Sequence, residues 1–111
     1  MVEITRGDTP TLAVRVRAAD GSDYELADGD TLAFTVKRSM RSGEPAVIQK
    51  VMTAETGPTL TLTERETSVP CGVYVFDVEL RTAAGTVCTV VKPSKLKVCG
   101  EVTTHEVQGA L

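Results

Sequence analysis

The chain has 111 residues, of which 41% are hydrophobic and 24% charged; this is the length of one domain with enough apolar material for a core, and it excludes intrinsic disorder. A formal net charge of -3 gives the whole chain no attraction to nucleic acid or to an anionic membrane surface, and no apolar run approaches the ~20 residues of a spanning helix. Three cysteines, Cys71, Cys88 and Cys99, are odd in number and lack C-x-x-C spacing, which speaks against a disulfide framework and a zinc site; three reduced thiols are expected, with one bridged pair as the alternative.

The first feature in chain order is the tripeptide Arg6-Gly7-Asp8, followed by Pro10. It has two readings. An adhesion signal must project from an exposed loop, whereas a structural bend needs only a glycine free to take positive φ and an aspartate able to accept backbone hydrogen bonds. Gly7 and Asp8 are expected to form such a bend, and Arg6 is expected to have no conformational task.

Next comes TLAVRVR, where Leu12, Val14 and Val16 alternate with Ala13, Arg15 and Arg17, the period of a half-buried strand. TLAFTVK repeats it with Leu32, Phe34 and Val36 inward. AVIQKVMT, residues 46–53, is less regular because Val47, Ile48, Val51 and Met52 supply both faces, and it is also read as a strand. TLTLT offers Leu60 and Leu62. TERETSVP is expected to make one helical turn crossing between sheets, since Thr63 and Glu66 form a T-x-x-E capping box and Pro70 blocks extension. VYVFDVELR sets Tyr74, Phe76, Val78 and Leu80 inward. TVCTVVKPSKLKV predicts one or two strands broken near Pro93, with Leu96 and Val98 inward, Lys95 and Lys97 outward, and Cys88 acting as a small hydrophobe. Gly-containing turns beside Asp, Ser or Pro separate these runs.

The pattern predicts an all-β protein, an immunoglobulin-like antiparallel β-sandwich of about seven strands over residues 1–99, with a small closed barrel as the competing architecture. Residues 100–111 lose the alternation. They are expected to form a final edge segment or a tail ordered by a partner, with Val102, Val107 and Leu111 as its apolar contacts.

Candidate chemistry is sparse. The single histidine, His105, lies in the unpatterned terminal stretch, where a Cys-His pair with Cys88 or Cys99 has no supporting motif. Asp20, Asp23, Asp28 and Asp30 are hard oxygen ligands in a short span, but they do not match a calcium loop, and Asp-Gly turn formation accounts for them. The basic run KRSMR, Lys37 to Arg41, lacks the interleaved aromatics of a nucleic-acid platform and reads as a solvated hairpin tip. No enzyme activity, metal or cofactor is expected. The opening residues lack a basic flank and apolar run, so a cytosolic chain is expected unless it travels as part of a larger particle.

Two stretches also carry a family resemblance. The pattern IxRGDTxxLxVxVxxxDGxxYxLxxGDTLxFTVK from Ile4 to Lys37, with LTLTxxxTxxxPxGxYxFDVEL from Leu60 to Leu80, resembles small immunoglobulin-like proteins of bacteriophage and prophage tail and baseplate modules. The N-terminal domain of the baseplate upper protein belongs to that group. Cys71 departs from the pattern, standing between Pro70 and Gly72 where relatives read Pro-Gly or Pro-Ala-Gly. The resemblance implies a non-enzymatic structural and assembly module of the virion, assembled in the bacterial cytoplasm. Its partners would be copies of itself and other tail or baseplate proteins, and Gly7 and Asp8 would lie in a strand-to-strand bend. The alternative is a carbohydrate- or cell-surface-binding module of the same fold, which needs an exposed aromatic platform or a deep pocket. Of four aromatics, Phe34, Tyr74 and Phe76 are expected inward and only Tyr24 is left for such a role.

Overall fold

A computed structural model describes residues 2–18, 20–41 and 43–100. Among them, seven strands and one helical turn follow in the order β1 (Val2–Thr5), β2 (Thr11–Ala13), β3 (Thr31–Lys37), β4 (Ala46–Thr53), β5 (Thr59–Thr61), α1 (Glu64–Thr67), β6 (Gly72–Arg81) and β7 (Val87–Cys99). The protein is all-β. A curled five-stranded sheet runs β1-β7-β6-β3-β4, and a small second sheet pairs β2 with β5.

Alternation dictates which side chains meet. β3 lies antiparallel between β4 and β6, so Leu32 stands between Met52 and Leu80, and Val36 between Ile48 and Phe76. Leu60 of the small sheet and Leu62 just beyond it join Val14 and Val16 in the same core, where Phe34 and Phe76 tilt against each other with ring centroids 5.6 Å apart. Of the twelve side chains expected inward from the four alternating runs that hold Leu12 to Val16, Leu32 to Val36, Leu60 to Leu62 and Tyr74 to Leu80, eleven are buried; Leu12, in a strand of three residues at the sheet margin, is half-buried.

β1 corrects the expected antiparallel arrangement. It pairs in parallel with the end of β7, setting Ile4 beside Val98. Four residues are too few for the alternation to declare itself, and a parallel partner is brought there only by the whole intervening chain. The TLAVRVR run is also shorter than expected as regular strand. Beyond Ala13 it continues through single bonds, from the Val14 amide to the Pro58 carbonyl (2.7 Å) and from the Tyr24 amide to the Val16 carbonyl (2.8 Å).

The TVCTVVKPSKLKV run is one strand. It absorbs Pro93 at a bulge: Phe76 faces Ser94 and Val78 faces Val91, so two residues of β7 oppose one of β6. Cys88 differs from its expected place inside. It faces Leu80, but β1 flanks only Leu96–Cys99, so no strand among the described residues lies beside the first half of β7, and Cys88 is exposed.

α1 is the single turn expected between sheets. The Glu66 amide donates to Thr63 Oγ1 (3.1 Å) and the Thr63 amide to Glu66 Oε1 (2.8 Å), completing the capping box.

Candidate interaction surface

The outward face of the large sheet carries a groove. Rows of side chains cross it, Gln49–Thr35–Asp77 and Val51–Ala33–Glu79, because β4, β3 and β6 are in register. A groove of about 510 Å³ lies over the first row, with Thr35, Gln49, Lys37, Glu44, Asp77 and Glu79 among its polar lining and Met40, Ala46, Val75, Phe76 and Pro93 as its apolar portion. Gln49 Nε2 donates to Thr35 Oγ1 (3.2 Å), which orients the amide along the floor. The groove can accept hydroxyl or amide groups of a partner.

The groove opens onto β4, whose far side has no strand partner among the described residues. Unpaired strand backbone binds another strand unless it is guarded. The two margins differ in this respect. The uncovered part of β7 is guarded by Pro93, by two register shifts and by Lys92. On β4, a register shift opposite Val36 and Lys37 disturbs only the first residues, and Ile48–Thr53 stays regular. Val51 in the middle of that stretch is 56% exposed. Lys50 turns inward to Glu66 of α1, Nζ to Oε1 2.8 Å, so its charge does not shield the edge. Burial acts to raise the Glu66 pKa, yet the Lys50 ammonium and the Thr63 bonds hold it below its usual value.

The residues singled out from sequence are arranged as follows. Gly7 is buried with φ of 84° in the turn between β1 and β2, and the Asp8 amide donates to the Thr5 carbonyl (3.1 Å). Asp8 acts here through its backbone, its carbonyl accepting from Thr67 Oγ1 (2.7 Å). Arg6, expected to be without a task, has one: its Nε donates to the Val69 carbonyl (3.1 Å), joining the bend to the segment before β6. A tripeptide whose glycine is buried and whose arginine is so engaged is not displayed as a projecting loop. Val102, Val107, Leu111 and His105 lie outside the described residues.

The four aspartates do not gather. Asp20 accepts from the Ser22 hydroxyl (2.5 Å) and amide (2.9 Å), Asp23 meets Arg15 (3.2 Å), and no group of three His, Cys, Asp or Glu able to hold a metal occurs among the described residues. Asp30 is buried instead. Its Oδ2 accepts from Tyr24 Oη (2.5 Å) and the Ala27 amide (2.9 Å), and Oδ1 from the Ala83 amide (3.1 Å). The Tyr24 bond first, then the two amides, hold its carboxyl below the usual range, while the same hydrogen bond pushes the Tyr24 hydroxyl up. Tyr24, the one aromatic left for a platform, is thus half-buried and tethered. Sequence reading missed the β4 edge and its groove. The signal was Val51, apolar on what alternation marks as the outer face.

No family model matches the chain, and no curated protein is similar enough to it to mark a relative.

Proposed function

We propose that this protein is a non-enzymatic assembly module of a bacteriophage or prophage tail or baseplate, built as an immunoglobulin-like sandwich and joined to copies of itself and to other virion proteins through its sheet edge. The observation that carries the reading is the regular, unguarded β4 edge with exposed Val51, a surface suited to strand addition. The phage assignment rests on the two sequence runs quoted above.

Three features support the immunoglobulin-like part. The order β7-β6-β3-β4 corresponds to strands G-F-C-C′ of a variable-type sheet, and β2–β5 corresponds to B–E. Tyr74, near the start of β6, donates its hydroxyl to the Pro70 carbonyl, as the tyrosine corner of such domains does. The helical turn α1 lies just before, at the E–F crossover.

The experiment is capture of tail and baseplate proteins by the full chain, compared with a chain ending at Gly100. Capture by the full chain, weakened by truncation, is the expected result. A protein that captures none of them and stays monomeric sinks the reading. The second reading, a carbohydrate-binding module, has the Thr35, Gln49, Asp77 and Glu79 lining in its favour and the inward or tethered aromatics against it. A glycan-array signal removed by Gln49→Ala would support it.

A further inference from the structure

Cys71, the residue that departs from the family pattern, has a counterpart across the sheet. The β6–β7 ladder pairs Tyr74 with Leu96, Val73 with Lys97 and Gly72 with Val98. Cys71 immediately precedes Gly72 and Cys99 immediately follows Val98, so the two cysteines flank the last pair of the ladder. Leu96 and Val98 are buried, so Cys99 shares the outer face with Lys97, and Cys71 is exposed just before β6. The Gly72–Val98 pair between them is directly opposed, and such residues have Cα atoms ~4.5–5.5 Å apart. A disulfide spans ~4.4–6.8 Å between Cα atoms.

A second observation sets the Cys71 thiol against the end of β7. Cys71 Sγ lies 3.6 Å from where a Cβ on Gly100 would stand, so the thiol rests against the neighbour of Cys99. Cys99 is held from the other side, since its carbonyl accepts from the Arg6 amide (2.9 Å) and it pairs with Thr5 of β1. Cys71 is exposed, Cys99 partly so, and Cys88 lies along β7 opposite Leu80.

We propose that Cys71 and Cys99 form a paired redox modification site, which a low-molecular-weight disulfide such as oxidised glutathione closes to an intramolecular bridge. The exposed Cys71, as thiolate, attacks one sulfur of oxidised glutathione; the S–S bond breaks, a mixed disulfide forms and one glutathione thiolate leaves. The Cys99 thiolate then attacks Cys71 Sγ and displaces the second glutathione. Two protein thiols are oxidised, one glutathione disulfide is reduced to two thiols, and the two cysteine protons end on them. The bridge ties the segment before β6 to the end of β7. The inference stands apart from the assembly reading.

The test is mass spectrometry of unreduced digests after the folded full chain is incubated with oxidised glutathione. The expected product joins the Cys71 peptide to the Cys99 peptide, with Cys88 carrying glutathione as an adduct. In C99S, Cys71 should hold glutathione as a stable adduct, and in C71S, altered at an exposed position, Cys99 should do the same. Denaturant should remove the preference for the 71–99 pair. Separate adducts on Cys71 and Cys99 in the wild type, bridges to Cys88, linked dimers, or two unmodified thiols would each overturn the proposal.

Discussion

Asp30 draws the Tyr24 hydroxyl and the Ala27 and Ala83 amides onto one carboxylate, tying the segment before β3 to the turn between β6 and β7. Its pKa is depressed in the fold, so its contribution is present above the unfolded value of ~3.9 and disappears as pH falls through the folded value. Thermal melting followed from neutral pH down to about 3 should therefore fall more steeply in the wild type than in Asp30→Asn. Tyr24 has the opposite sign, its raised pKa placing the loss above ~10. Gly29, beside it, has φ of 88°, and a Cβ there would stand 2.8 Å from the Ala83 Cβ. Gly29→Ala should cost more than ~1 kcal/mol by denaturant unfolding, strain and overlap acting together. Gly7→Ala should cost a similar amount, and Arg6→Ala ~0.5–1.5 kcal/mol through the lost bond to Val69. The glycine's part in the bend could be read from sequence because its conformational freedom is intrinsic. The part played by Arg6 could not, because the Val69 carbonyl is brought to it only by the tertiary fold.

Elements were legible wherever one strand is long and has one wet face. The inward sets of β3 and β6 could be written down from alternation, and α1 from Thr63, Glu66 and Pro70. Thr63→Ala should lower stability by ~1 kcal/mol in the same unfolding assay, since it removes half of the capping box. Pairing was not legible. The parallel contact of β1 with β7, the bulge that lets Pro93 sit inside one long strand, and the exposure of Cys88 all depend on which strand lies alongside, which periodicity does not encode. The same limit hid the candidate interface. Val51 was visible as an apolar residue on a mixed strand, but only the sheet order makes β4 an edge.

As a whole, the molecule is two unequal sheets sharing one core, with Phe34 and Phe76 against each other in it. Phe76→Ala should cost ~3–5 kcal/mol, enough to unfold a domain of marginal stability. Val51→Lys should change stability by less than ~0.5 kcal/mol because the side chain is already exposed. That contrast separates folding from association. The most direct test is the solution mass of wild type and Val51→Lys by sedimentation velocity over a wide concentration range, with circular dichroism to verify that both are folded. The account predicts a wild-type mass that rises with concentration and a variant shifted toward monomer. A folded wild type that stays strictly monomeric at the highest concentration, or a variant that associates as strongly, would contradict it.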